Sequence, residues 1–380
     1  MNDLTNQWHL GGMVAQGTSE RNIQSFTSCA THGADGWRVW YSVYDQAETS
    51  FGFGYLDYTD EFRLLHDTPM RIATQPAAEG LNILGVPTDW NLIQPVHLRL
   101  RDGRERLYFW AFGDGGVQRY LAADSNDGIN FIVEDWHCPV LYHPNDRAIS
   151  QEALRECGLS IYCHNGHQPQ DPSEPSATPE MLMNDATNVY LLPDGTFELY
   201  SAEVVQLPPD APLPRQKDPL VRQIQRRVSA DGVHWSAPQH ILSRTKNDLY
   251  DLQFYYLSVT HTPLGRIGIL GHYRSDSGTM DMEFCRSQDG VHWEREGRPG
   301  FPREKGVEML FAPHNLVCVG GLYYLFYSGS YLNHHGVSSP DAPEAPSTWI
   351  GAATIPVSAF NDLLPRDALH DSGAFSRKLS

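Results

Sequence analysis

The chain has 380 residues, of which 41% are hydrophobic and 11% aromatic, and its formal net charge is −18. A chain of this kind can bury a large core, and it contains no block of Lys and Arg residues. The composition therefore argues against DNA or another polyanion as a partner.

Targeting and membrane signals are weak. No run of about 18 apolar residues is found, so we expect no transmembrane helix and no membrane partner. The N-terminal residues lack both the basic start and the apolar centre of a secretory signal. The six cysteines show no CxxC spacing and are expected to be free thiols, which together predict a cytoplasmic location.

Along the chain, one strand–turn–strand pattern recurs with alternating apolar residues that suit half-buried strands. Very little helix is expected, because helical periodicity is scarce. Five such units predict an all-β chain built from five small sheets. The pattern occurs at residues 26–42, 96–110, 187–201, 254–270 and 315–328.

A second repeat accompanies the first. The phrase Ser-x-Asp-Gly-x-x-Phe/Trp occurs at residues 125–131, 229–235 and 287–293. Asp-Gly favours a tight turn because glycine accepts positive φ, and the following aromatic ring can then pack beneath that turn. Short strands that repeat roughly every 50 residues are typical of a β-propeller.

The repeated strand–turn–strand pattern is interrupted between residues 136 and 183, a segment rich in Pro, His and Asp. So long a loop in a compact fold is usually functional or disordered. We interpret it as an insertion between blades 2 and 3 that covers one mouth of the ring. The predicted organisation is one five-bladed propeller over residues 1–366, followed by a tail at 367–380.

These motifs resemble the five-bladed propellers of glycoside hydrolase families 43, 32 and 62, with family 117 as a further relative. The Ser-x-Asp-Gly-x-x-aromatic phrase closes blades in many of those enzymes. Inner strands of the same type open at Gln94-Pro95, Asp185-Ala186 and Ala312-Pro313. The resemblance covers most of the chain outside the insertion.

The resemblance implies glycoside hydrolysis by carboxylates on the inner strands of the first three blades. One group protonates the leaving oxygen, and another activates water or attacks the sugar. Carried over by position, the catalytic candidates are Asp185 as the acid, with Asp89 and Glu20 as base, nucleophile or helper. An acidic residue before a strand can instead form a turn or cap backbone amides.

The remaining candidates are expected to contact the carbohydrate substrate or to line the axial channel. Sugar rings stack on aromatic faces, and His314 opens the inner strand of the last blade. The resemblance implies that no cofactor is required and that the substrate-binding site holds no metal. It allows a structural Ca²⁺ in the axial channel. The substrate-binding candidates are Trp90, Arg21, Gln94, Asp251, Tyr255, Glu308 and His314.

The sequence therefore predicts a glycoside hydrolase that is exo-acting on small or oligomeric glycosides. Two alternatives stay open. One is a sugar-modifying lyase that uses His314 or His97 with a tyrosine. The other is a glycan-binding propeller without catalysis, which the absence of the usual Asp-Pro signature at Gln94-Pro95 would favour.

Overall fold

The computed structural model describes residues 4–18, 20–45, 50–113, 117–142, 180–206, 220–343 and 348–360. The described part of the chain is almost entirely β-structure, with 3₁₀ turns at Leu4–Gln7 and Val357–Phe360. The prediction of an all-β chain is confirmed. Among these residues, no helix is long and apolar enough to cross a membrane.

The strands are short and follow one another closely. In chain order they are β1 (His9–Gln16), β2 (Arg21–Gln24), β3 (Ala30–Gly33), β4 (Gly36–Asp45), β5 (Ser50–Tyr58), β6 (Leu64–Ile72), β7 (Leu81–Leu84), β8 (Asn91–Arg99), β9 (Glu105–Gly113), β10 (Val117–Ser125), β11 (Asn130–Ile132), β12 (Leu141–Tyr142), β13 (Glu180–Leu191), β14 (Phe197–Gln206), β15 (Leu220–Ser229), β16 (Gln239–Leu242), β17 (Leu252–Thr262), β18 (Gly265–Arg274), β19 (Thr279–Ser287), β20 (Glu294–Pro299), β21 (Met309–Phe311), β22 (Val317–Val319), β23 (Leu322–Ser330) and β24 (Thr348–Pro356).

Antiparallel pairing divides all of these strands except β7 and β12 into consecutive groups, which we call units 1 to 5. Unit 1 runs β2/β3–β4–β5–β6 and unit 2 runs β8–β9–β10–β11. Units 3 and 4 are β13–β14–β15–β16 and β17–β18–β19–β20. Unit 5 is β21/β22–β23–β24–β1. Every predicted hairpin lies between the first two strand positions of a unit.

Unit 5 takes its outer strand from the other end of the chain. β1 pairs with β24 from His9↔Thr354 to Gln16↔Trp349, with two register irregularities on the way. The sequence did not predict this strand. This pairing joins the first strand of the described chain to the last one and completes the sheet of unit 5.

The hydrophobic core is divided in the same circular way. Five of the buried clusters pack consecutive units against each other, because alternate side chains of a strand point to opposite faces of its sheet. The last cluster joins unit 5 back to unit 1, with Trp37 and Phe326 at a ring-centroid distance of 5.0 Å. Representative pairs, from units 1–2 round to 5–1, are Trp40 and Phe109, Tyr120 and Leu199, Tyr200 and Leu257, Tyr256 and Leu325, and Trp37 and Phe326.

The predicted Asp-Gly turns are present at all three positions. In unit 3, the amide of Gly232 donates to the Ser229 hydroxyl at 2.8 Å, and Asp231 accepts bonds from the next two amides. Gly232 has a φ of +77°, which explains the glycine. Trp235 is buried behind the turn. The hydroxyl of Tyr108 in unit 2 donates to the Gly232 carbonyl at 2.9 Å, so this turn also fastens two units together.

The predicted insertion at residues 136–183 has strand at both described edges. Leu141–Tyr142 pairs with β10, and β13 begins at Glu180. Residues 143–179, the Pro-rich segment 207–219 and the predicted tail at 367–380 lie outside the described residues.

The cysteines differ from the expectation. Cys29, Cys285 and Cys318 are free thiols, but Cys138 is disulfide-bonded, so the prediction of six free thiols is wrong. The cytoplasmic location rested partly on that argument and stays an untested prediction.

Candidate functional site

The first strand of each unit is interrupted at the same level. The register shifts between Ile93 and Val96 in β8, between Asp185 and Thr187 in β13, and between Phe254 and Leu257 in β17. In units 1 and 5 the break is complete, with β2 separated from β3 and β21 from β22. Bulges of this kind are common next to active sites because they redirect side chains.

Two of these interruptions contain backbone in the left-handed region. Thr27 has a φ of +53° and Gln94 a φ of +60°, which non-glycine residues rarely adopt. The amide of Gln94 donates to the Ser42 hydroxyl of unit 1 at 2.8 Å, and this bond helps to hold the conformation. The side-chain oxygen of Gln94 is buried without a partner among the described residues. Such local strain is concentrated at functional sites.

The interrupted strands converge on Phe26. Its ring centroid lies 5.0 Å from Phe311 of unit 5, 5.4 Å from Tyr256 and 6.2 Å from Tyr255 of unit 4. Ala186 of unit 3 belongs to the same buried cluster. Four units therefore meet here, as expected at the centre of a ring. Asp185 directly precedes Ala186 in β13, but its side chain lies outside the described residues.

His314 of unit 5 also crosses the centre. Its Nε2 donates to the Val189 carbonyl of unit 3 at 2.7 Å, and its ring stacks on Tyr190 at 4.2 Å. Its backbone amide donates to the Ser28 carbonyl of unit 1 at 2.9 Å. Units 3 and 5 are not consecutive, so this residue connects two sheets that are not neighbours along the chain. It is 5% exposed, which favours a structural role over the predicted contact with substrate.

Burial lowers the pKa of His314 to about 4, against about 6.5 in an unfolded chain. The unfolded state therefore binds a proton between these values and the folded state does not, so stability falls as the pH is lowered through this window. We expect the loss to reach about 3 kcal/mol at pH 4. Urea unfolding of wild type and His314→Gln from pH 7 to pH 4 measures this loss of stability. The variant should show the shallower pH dependence; equal slopes would contradict the prediction.

The three catalytic candidates are not brought into a described contact. Glu20 and Asp89 are both exposed, just before the first strands of units 1 and 2. Arg21 is also exposed, close to the hydroxyl of Tyr41. Glu20, Arg21 and Asp89 lie at the end of the sheets at which the first strands of units 1 and 2 begin, whereas Asp185 lies within β13, at its register shift.

Two other candidates are engaged in the protein interior. Asp251 is 1% exposed and forms an ion pair with Arg274 at 2.6 Å. Trp90 is 9% exposed and meets Trp136 edge to face at 5.0 Å, with the buried Arg119 guanidinium 5.6 Å from its ring centre. Their placement favours packing and charge neutralisation over contact with a ligand.

Glu308 and Tyr255 remain partly exposed. The Glu308 carbonyl accepts a bond from the amide of Met280 at 3.0 Å, which places this residue against unit 4. The Tyr255 hydroxyl lies 3.0 Å from Nε2 of His334, an exposed residue in the loop after β23.

A cation that the sequence analysis missed stands beside Tyr255. The guanidinium carbon of Arg222 lies 4.5 Å from the centre of the Tyr255 ring and 5.6 Å from that of Tyr273. Its NH1 donates to the Gln253 side chain at 3.1 Å. Cation–π contacts of this kind hold an arginine in one orientation. No sequence signal could have found it, because the contact joins β15 of unit 3 to β17 of unit 4.

The described residues give little support to a metal site. They contain no group of three or more His, Cys, Asp or Glu side chains arranged to hold a metal. Nε2 of His314 donates to a backbone carbonyl, and its Nδ1 faces Asn315. Calcium prefers several oxygen ligands, usually with carboxylates among them. The surroundings of His314 therefore do not fit a calcium ion.

His97, the second histidine of the lyase alternative, also contacts other side chains of the protein. Its Nε2 lies 2.8 Å from Glu105, and its ring stacks on Trp40 at 5.2 Å. The imidazole rings of both histidines of that alternative therefore contact other protein groups.

No family model matches the chain, and no curated protein matches it. Solved structures do. A structure named "Glycoside hydrolase" has a TM-score of 0.58 at 12% identity and covers 92% of both chains. A thermostable family-43 glycoside hydrolase has a TM-score of 0.54 at 10% identity, covering 88% of this chain and 89% of its own.

A third similar structure is an N-acetylgalactosamine deacetylase from F. plautii in complex with blood group B trisaccharide. It has a TM-score of 0.50 at 14% identity and covers 92% of both chains. By fold, then, the chain is similar to glycoside hydrolases of the propeller type, and the resemblance drawn from its motifs is confirmed.

Proposed function

We propose that the five units are the blades of one five-bladed β-propeller and that the chain is a glycoside hydrolase. The circular order of the hydrophobic clusters and the pairing of β1 with β24 support the ring. The similarity in fold to glycoside hydrolases supports the activity class. The N-terminal strand closes the last blade, which removes the open edge that a sheet of this kind would otherwise expose.

The observation that carries the site is the position of Ala186 in the cluster around Phe26. It brings the backbone of Asp185 to the level at which four units meet. We assign Asp185 as the general acid that protonates the leaving glycosidic oxygen. Glu20 or Asp89 would then activate water or attack the anomeric carbon, since hydrolysis needs a second carboxylate across the bond.

The surrounding residues would shape a pocket. Tyr255 supplies a partly exposed aromatic wall, and Gln94 supplies an amide beside the strained backbone. Arg21 and Glu308 lie at the same end of the first strands. An exo-acting enzyme on small or oligomeric glycosides fits a pocket better than an open groove.

Replacing Asp185 with asparagine should lower turnover about 10²–10⁴-fold, the usual contribution of a general acid or base. The measurement is kcat and KM on a panel of aryl glycosides, furanosides included. Asp194→Asn is the matched control, because this exposed aspartate lies in the β13–β14 hairpin at the other end of the same strand.

Unchanged turnover in Asp185→Asn would remove this residue from the mechanism. Glycan binding by wild type without release of products would favour the non-catalytic alternative. Unsaturated products, formed without addition of water, would favour a lyase.

A further inference from the structure

Three aromatic rings form a row at the end of units 1 and 2. The ring centroids of Tyr44 and Phe51 are 4.5 Å apart with planes at 30°, and those of Phe51 and Phe112 are 6.0 Å apart with planes at 29°. All three side chains are partly exposed. We call these residues the aromatic row. None of them belongs to the set of candidates derived from sequence motifs.

Backbone pairing fixes the row in place. Tyr44 on β4 and Phe51 on β5 are direct cross-strand partners, so their side chains leave the sheet on the same face. The amide of Phe51 donates to the side-chain oxygen of Asn91 at 2.7 Å. Asn91 is in turn the cross-strand partner of Phe112. The row therefore bridges two units and does not depend on the mobility of a single loop.

The row lies at the same end of the sheets as the candidate carboxylates. Tyr44 pairs with Asn22, two residues after Glu20, and Phe112 pairs with Asn91, two residues after Asp89. Both carboxylates are exposed. Partly exposed aromatic rings and exposed carboxylates thus occur together beside the first strands of two neighbouring units.

This combination matches the two surfaces of a sugar. The C–H face of a pyranose or furanose stacks on an aromatic ring, and its hydroxyl groups donate to carboxylates at the edge. The net charge of −18 and the nearby Glu20 and Asp89 disfavour an acidic polysaccharide. A neutral oligosaccharide is the occupant that fits both observations.

We propose that the aromatic row is a subsite for a neutral oligosaccharide, holding sugar residues that lie beyond the bond to be cleaved. The inference rests on the proposed glycoside hydrolase function and extends it to substrate length. It requires that the chain bind longer oligosaccharides more tightly than short ones, and that the difference come from these rings.

The test is calorimetric titration of wild type, Phe51→Ala and Phe112→Ala with neutral arabino-, xylo- and manno-oligosaccharides of increasing length. For the sugar that binds, each variant should weaken the longest oligosaccharide about tenfold while the disaccharide changes little. Phe51→Leu keeps an apolar side chain without a ring and should weaken binding similarly, which excludes misfolding as the cause.

Tyr250→Ala is the control, since this exposed aromatic residue lies in unit 4 away from the row. Equal affinity of wild type and Phe51→Ala for every length would overturn the proposal, as would the absence of binding by wild type. Length-dependent binding that is lost in the variants, with no product formed, would support the row and overturn the proposed hydrolysis.

Discussion

Replacing Glu198 with alanine is expected to lower the free energy of unfolding by about 3–5 kcal/mol, because it leaves buried positive charges without their partner. Glu198 is fully buried on β14 of unit 3. Its carboxylate pairs with Arg226 at 2.6 Å, with Arg266 at 2.8 Å and with His261 at 2.8 Å. Burial acts to raise the pKa of Glu198, but these donors outweigh it and hold the pKa well below the usual range.

Two of those donors belong to unit 4, so the carboxylate also joins neighbouring sheets. Urea denaturation followed by circular dichroism measures the change. Glu294→Ala is the matched control, because Glu294 is an exposed carboxylate that pairs with Arg286 of the same sheet. A surface pair contributes about 0–1 kcal/mol. If both variants lower the free energy of unfolding by the same amount, the Glu198 network does not stabilise the contact between units 3 and 4.

The second large effect is expected at the N-terminus. Trp8 is 8% exposed and packs against Phe284 at 5.6 Å and Phe301 at 5.1 Å. It therefore fixes the segment before β1 against unit 4, while β1 itself pairs with unit 5. Trp8→Ala should cost about 3–5 kcal/mol, the usual loss for a buried tryptophan.

Met13 provides the comparison for that variant, since it lies on β1 and is 47% exposed. Met13→Ala should change stability by about 0.5 kcal/mol or less. Thermal and urea unfolding of both variants measure the difference. A Trp8→Ala protein as stable as wild type would contradict closure of the ring by the N-terminal segment.

The parts of the fold that are encoded locally could be predicted from the sequence. In each Ser-x-Asp-Gly turn the hydrogen bonds that form the turn itself join residues close in sequence, as between Ser287 and Gly290 at 2.8 Å. Hairpins such as β13–β14 combine two alternating strands with an Asp-Gly pair between them. Neither feature needs information from a distant part of the chain, so composition and spacing are enough.

Long-range partners could not be predicted. The apolar alternation of β1 is interrupted by Gly11 and Gly12, and its partner β24 lies at the far end of the chain. Asp251 was a candidate for contact with the substrate, but in the structure it forms an ion pair with Arg274 on the next strand. The sequence also predicted that His314 lies near the axis, and its contact with Val189 supports that position. The sequence could not show that the imidazole ring itself makes this contact.

The site was predicted less completely than the fold for the same reason. The break in β13 after Asp185 coincides with the inner-strand motif. By contrast, Arg222, Phe26 and the aromatic row acquire their roles from neighbours in other units. Motif spacing describes one strand at a time, whereas these groups exist only after several sheets have been assembled.

The pairing of β1 with β24 has a consequence for synthesis. β1 leaves the ribosome long before its hydrogen-bonding partner β24, Thr348–Pro356, is synthesised. Until β24 has been synthesised, the backbone amide and carbonyl groups of β1 lack the hydrogen-bonding partners that they have in the folded protein. Circular permutants that make β1 contiguous with β24 should therefore mature faster and require less help from chaperones.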